Sequence, residues 1–193
     1  MADKKISEFP VNSVPALDDF FAIVDLSDAG ATKRMPLSGL YAYFNTLKAK
    51  AQYRAYESTQ QTTITSLGTY EFIQTDGTPS GPVAPVDFTL TDNRATYNGT
   101  VAKSFKVIAT VGARALAGDS IGFKIAVSGT PVDNSISLGD SSPNNEFQTI
   151  SLHDVITLNP GNYVEIWGTN YITLSSGGGS LRVVYMNVII EEF

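Results

Sequence analysis

The chain of 193 residues has no cysteine, one histidine and one tryptophan. The first absence excludes disulfide staples, thiolate catalysis and cysteine-ligated zinc, and it leaves the redox compartment open. A lone His153 is too little for a histidine-built metal site or a catalytic triad. No run of about 18 apolar residues occurs, so no membrane insertion is expected. The opening Met1–Glu8 is polar with mixed charge and lacks the apolar core of a secretory signal. Basic side chains are also scarce, and the formal net charge is −6. Residues 1–50 balance Lys4, Lys5, Lys33, Arg34, Lys48 and Lys50 against Asp3, Glu8, Asp18, Asp19, Asp25 and Asp28, so the acidity belongs to the remainder. An acidic body lacks the basic face that nucleic acid requires, so no nucleic-acid partner is expected.

What is present is a globular composition, 42% apolar and 17% charged. From about residue 58 the pattern is that of strands. Phe105, Val107, Ala109 and Val111 fall on one inward face of a strand, as do Ile121, Phe123, Ile125 and Val127. Asn159-Pro160-Gly161 reverses the chain, because Pro fixes φ and Gly supplies positive φ. In the next strand Val164 and Ile166 point to one face, and Tyr163, Glu165 and Trp167 to the other. Asp92-Asn93 marks a turn, and Asn98-Gly99 is a hairpin signal. Phe147–Leu152 and Val155–Leu158 read as two short strands. About eight to ten strands with turns every ~8–12 residues predict a β-sandwich or jelly roll over 58–193. In the last strand Val184, Met186, Val188 and Ile190 fall on one face, and Leu181, Val183, Tyr185 and Ile189 on the other, with Asn187 between. A sheet strand apolar on both faces predicts a cover on the second face. A neighbouring subunit is the expected cover, with residues 1–47 or the linker as the alternative.

Residues 1–47 follow a different grammar. Phe20–Val24 is a short apolar run, and Thr32–Leu37 can pair back on it before Pro36 ends the strand. Ser38 is a good N-cap for a helix from about Gly39 to Lys50, with Leu40, Phe44 and Leu47 on one stripe. So small an α+β unit buries too little to be stable alone and needs a partner surface. Residues 48–57 read as a linker or an extension of that helix.

Catalysis has weak candidates. Asp18-Asp19 are sequence neighbours and point opposite ways on a strand. Asp133, Asp140 and Glu146 surround a polar loop but lack the spacing of a calcium hand. His153 beside Asp154 has no nucleophile elbow, and Gly177-Gly178-Gly179 has no following Lys-Ser/Thr. No enzyme activity, metal or cofactor is expected.

Two stretches carry a resemblance. Lys5-Ile6-Ser7-Glu8-Phe9-Pro10, Leu17-Asp18-Asp19-Phe20, Ile23-Val24-Asp25 and Thr32-Lys33-Arg34-Met35-Pro36-Leu37-Ser38-Gly39-Leu40 resemble the N-terminal attachment segment of phage tail-fibre, tailspike and head-fibre proteins. Phe9, Phe21-Ala22 and Gly39 depart from its usual residues. Phe88-Thr89, Asn93–Gly99, Gly129-Thr130-Pro131-Val132 and Leu158–Trp167 with Asn170 are similar to the C-terminal jelly-roll domain of such fibres, itself similar to tumour-necrosis-factor and complement-head trimers. Here Asn162 replaces Asp, and Gly168 replaces an apolar residue. The resemblance implies a virion-located protein, a short trimeric fibre or decoration protein that is structural rather than catalytic. The implied partners are its own copies and a capsid or tail protein. Ile6, Phe9, Phe20, Ile23, Leu37, Leu40 and Phe44 would be the virion-anchor contacts, and Tyr163, Trp167, Tyr185 and Ile189 the trimer interface. The alternative expectation is an adhesin for a host-surface glycan, disfavoured because exposed aromatics are few and not clustered in the sequence.

Overall fold

The computed structural model describes residues 20–25, 31–36, 48–76, 84–114, 120–140, 147–171 and 179–193. The chain divides into two units, Met1–Lys48 and Ala49–Phe193. In the first, β1 (Phe20–Asp25) pairs antiparallel with β2 (Ala31–Pro36), from Phe20 opposite Pro36 to Asp25 opposite Ala31. The two expected strands of this unit therefore form and pair. The helix expected from Gly39 lies largely outside the described residues.

The second unit begins with a correction. Residues 48–57, read as linker or helix extension, contain β3 (Lys50–Ala55). Alternation explains it: Ala51, Tyr53 and Ala55 are buried on one face, and Arg54 is exposed on the other. The short, Ala-rich side chains hid this period. The strands that follow are β4 (Thr62–Thr63), β5 (Glu71–Phe72), β6 (Phe88–Thr91), β7 (Arg94–Tyr97), β8 (Lys103–Arg114), β9 (Ser120–Val127), β10 (Thr130–Pro131), β11 (Ser137–Asp140), β12 (Gln148–Leu158), β13 (Tyr163–Asn170) and β14 (Ser180–Glu192). β12 is one unbroken strand through His153-Asp154 where two were expected, with every residue in register against β8.

These strands form two antiparallel sheets. The first runs β3–β14–β8–β12, with β4 on β14. The second runs β6–β7–β13–β9–β10, with β5 on β13 and β11 on β9. Pairing is nested: β3 with β14, β7 with β13, β8 with β12, and β9 with β11. A long hairpin rolled onto itself has that pattern, which defines a jelly roll. Between the sheets lie Tyr53, Phe105, Phe123, Ile125, Ile166 and Val188, all essentially without solvent contact. Each such large side chain contributes on the order of 1.5–3 kcal/mol by burial. Phe88, Tyr97 and Phe105 meet ring to ring, with centroids 4.9 to 5.4 Å apart.

The turns carry the expected chemistry, with one exchange. The β6–β7 hairpin turns at Asp92-Asn93, both at positive φ. Asn98-Gly99 is not a hairpin: the chain crosses there from β7 in one sheet to β8 in the other. Gly99 is instead required by crowding, since a Cβ would lie 2.0 Å from the Tyr97 hydroxyl. At Asn159–Asn162 the Asn162 N–H donates to the Asn159 carbonyl at 2.9 Å. The Asn162 side chain accepts from the Asn159 N–H and donates to Ser128 Oγ at 3.1 Å, two roles that a carboxylate could not combine. Gly168 leaves room for Ile73, Leu181 and Phe123, which a Cβ would approach within 2.7–2.9 Å.

Candidate functional site

Two sheet faces point away from the core, and they differ in kind. On the first sheet, a β-bulge between Val183 and Tyr185 resets the alternation of β14. Leu181 and Val183 thus join Met186, Val188 and Ile190 in the core, which corrects the face assignment made from strict alternation. The bulge also frees the Val184 carbonyl to accept from the Ser58 N–H at 3.0 Å. The outward face of β14 beyond the bulge carries Tyr185, Asn187, Ile189 and Glu191.

Register builds this face into rows. Gln52, Ile189, Ile108 and His153 lie side by side across all four strands. Arg54, Asn187, Thr110 and Ser151 form the next row, in which Asn187 Oδ1 accepts from Gln52 Nε2 at 2.9 Å and from Arg54 Nε at 3.1 Å. In the third row the Tyr185 ring covers Gly112, where a Cβ would lie 1.9 Å from the ring, and its hydroxyl bonds to Thr149. Half-buried Ile108 and Ile189 thus sit at the centre of the face, with exposed Val155 farther along β12. His153, read from the sequence as a loop residue, lies with Asp154 inside strand β12.

The second sheet's outward face centres on Glu165, whose side chain is only 1% exposed. Both of its oxygens are engaged: Arg94 Nε donates to Oε1, and Trp167 Nε1 donates to Oε2 at 2.9 Å. The Arg94 guanidinium also lies 5.0 Å from the Phe72 ring centre and 4.9 Å from that of Tyr163. Farther along the face, Lys124 Nζ lies 4.6 Å over the Tyr70 ring and donates to Asp133 at 2.6 Å. That bond, then the ammonium charge itself, holds the Asp133 carboxyl below the usual aspartate range. The hydroxyls of Tyr70 and Tyr171 bond at 2.7 Å above Gly122. Burial first, and then the bond from Tyr171, push the Tyr70 phenol far above its ordinary range.

The structure therefore divides the expected trimer-interface residues between the sheets. Tyr185 and Ile189 lie on the outer face of the first; Tyr163 and Trp167 lie on the outer face of the second. β13 is interior to its sheet, not at an edge. Of the expected anchor residues, Phe20 and Ile23 lie on β1, opposite Pro36 and Lys33; Ile6, Phe9, Leu37, Leu40 and Phe44 lie outside the described residues. The fold does bring half-buried aromatics together, beyond what the sequence showed. Tyr70, Phe72, Tyr163, Trp167 and Tyr171, up to 101 residues apart in sequence, share one face. The signal for Tyr163, Glu165 and Trp167 was their alternation; nothing local pointed to Arg94, Phe72 or Ile108. Among the described residues no group of acidic or histidine side chains is arranged to hold a metal. Asp133 and Asp140 are engaged by Lys124 and Ser120.

No protein-family model and no curated protein sequence matches the chain. Three solved structures are similar to it in chain course. Murine APRIL shows 7% identity over 74% of this chain and 98% of its own, with a TM-score of 0.47. The PRD1 vertex protein P5 shows 9% identity over 76% and 97%, with a TM-score of 0.48. The globular domain of a zebrafish complement 1qA protein shows 15% identity over 75% and 96%, with a TM-score of 0.44.

Proposed function

We propose that this protein is a non-catalytic structural component of a phage virion, a short trimeric fibre or decoration protein. Residues 1–47 attach it to a capsid or tail protein, and the jelly roll from Ala49 to Phe193 forms the projecting head. The observation that carries the reading is the outer face of the first sheet. Ile108 and Ile189 are directly opposed at the centre of a four-strand face, and Tyr185 covers Gly112 on the far side of the Asn187–Thr110 row. Half-buried apolar side chains at the centre of an outward sheet face favour a protein contact. A threefold ring needs two different patches on each subunit. The end strand β12, eleven residues long and with no strand paired beyond it among the described residues, is the second. Tyr185 and Ile189 keep the interface role in this reading, and Tyr163 and Trp167 are released from it. The attachment role of residues 1–47 rests on the resemblance of their sequence.

Sedimentation of the full chain tests the assembly. A trimer is expected, and Ile108→Asp with Ile189→Asp is expected to yield a folded monomer. A wild-type chain that sediments as a monomer at micromolar concentration sinks the proposal. Removal of residues 1–47 is expected to leave a soluble trimer that no longer joins particles. The adhesin reading is favoured by one observation, the aromatic cluster of the second sheet.

A further inference from the structure

The geometry points to the outer face of the second sheet as a saccharide-binding platform, with Arg94 and Tyr163 as its polar contacts and a neutral hexose chain as its ligand. The inference rests on the assembly reading in one respect: with the first sheet covered by a second copy, this face remains outward. A sugar ring presents an apolar C–H face and an edge of vicinal hydroxyls. It therefore needs an aromatic surface beside a fixed, planar hydrogen-bonding edge. Phe72, Tyr163 and Trp167 are the aromatic surface, each half-buried. Arg94 is the edge. Its Nε is committed to Glu165, and its plane is held near two rings. Its side chain is nevertheless 40% exposed, and its terminal nitrogens make no hydrogen bond among the described residues. The Tyr163 hydroxyl makes none either among the described residues. The Trp167 indole N–H and the Glu165 carboxylate, by contrast, spend their hydrogen bonds on each other and on Arg94, so they position the edge without offering hydrogen bonds of their own.

Charge decides the class of sugar. Glu165 neutralises Arg94, and Asp133 neutralises Lys124, so the face carries no net cation. The chain as a whole has a net charge of −6 and repels polyanions. An acidic polysaccharide is therefore disfavoured relative to a neutral one, whose hydroxyls accept from Arg94 without requiring an uncompensated positive charge.

Trp167 is the only tryptophan, so its fluorescence reports occupation of this face directly. Short neutral oligosaccharides of glucose, mannose, galactose and N-acetylglucosamine are titrated into the full-length protein, with oligogalacturonate as the acidic arm. Saturable change in emission with at least one neutral oligosaccharide is expected. Arg94→Lys keeps the charge opposite Glu165 but loses the planar edge, and Tyr163→Phe removes one hydroxyl. Each is expected to weaken binding about tenfold, the equivalent of one hydrogen bond to a charged or fixed partner. No response to any saccharide, response to oligogalacturonate alone, or full affinity in both variants overturns the assignment. Sedimentation of the same samples separates the two proposals. A trimer that binds no sugar defeats this one alone, and a sugar-binding monomer defeats the assembly reading alone.

Discussion

The two outward faces of the sandwich begin from the same alternation and end in different chemistry. On the first sheet, an isoleucine pair lies among polar and charged outward residues, Lys106 and Glu191 on one side and the flat network of Gln52, Arg54 and Asn187 on the other. On the second, outward positions carry five aromatics around a carboxylate sealed from water. A face of the first kind leaves two apolar side chains half-exposed at its centre. A face of the second kind has already satisfied its buried charge internally and keeps a rigid donor edge outward. The difference teaches that burial alone does not mark an interface. Glu165 is more deeply buried than Ile189, and both of its oxygens are paired within the same sheet.

The strongest way to break this contrast is Arg94→Ala. It leaves Glu165 buried with only the Trp167 indole as partner, and removing one member of a buried ion pair costs about 3 kcal/mol. Urea denaturation is expected to show that loss with the oligomeric state unchanged. A variant as stable as wild type would show that Glu165 is not held as described. Trp167→Ala is expected to cost about 2 kcal/mol, less than a fully buried aromatic because the ring is half-exposed. Dissociation of the trimer by this variant, with stability intact, would move Trp167 back to the subunit contact. Gly112→Val drives the Tyr185 ring off the first face and is expected to cost about 1–2 kcal/mol by overpacking. Its larger signature is weaker assembly, read by sedimentation across a dilution series. An undisturbed trimer would show that the Tyr185 ring is not part of the contact.

The smallest expected effect concerns pH and lies on neither face. Asp76 accepts from the Thr59 backbone N–H and hydroxyl, and those bonds hold its carboxyl below the ordinary aspartate range. A folded-state pKa that is depressed contributes stability above the unfolded value and loses it as pH falls through the folded one. Asp76→Asn is therefore expected to lower the urea midpoint slightly at neutral pH. The gap should close below the normal aspartate range; a gap constant down to that pH would assign the effect to something other than ionisation.

Much of the fold was legible because strand alternation is local. Phe105 to Val111 and Ile121 to Val127 announced their buried faces, and Tyr163, Glu165 and Trp167 announced a shared outward one. β3 was not legible, because Ala51 and Ala55 give weak contrast against polar neighbours and only pairing with β14 makes the segment a strand. The bulge at Val183 was not legible either. One inserted residue leaves no compositional mark, yet it reverses which residues of β14 enter the core. The aromatic face escaped notice because Phe72 reaches it from a strand of two residues and Tyr70 from just before that strand.

The sequence by itself determined the class of fold and the position of most turns, since alternation, proline and positive-φ residues act within a few positions of the chain. It also determined what chemistry was absent, because no fold can supply a cysteine or a second histidine. Only the tertiary structure decided which strands share a sheet, that Ile108 meets Ile189, and that Arg94 reaches Glu165 across 71 positions. Those contacts come from nested long-range pairing, in which each residue's neighbour is set by strand register and not by its distance along the chain.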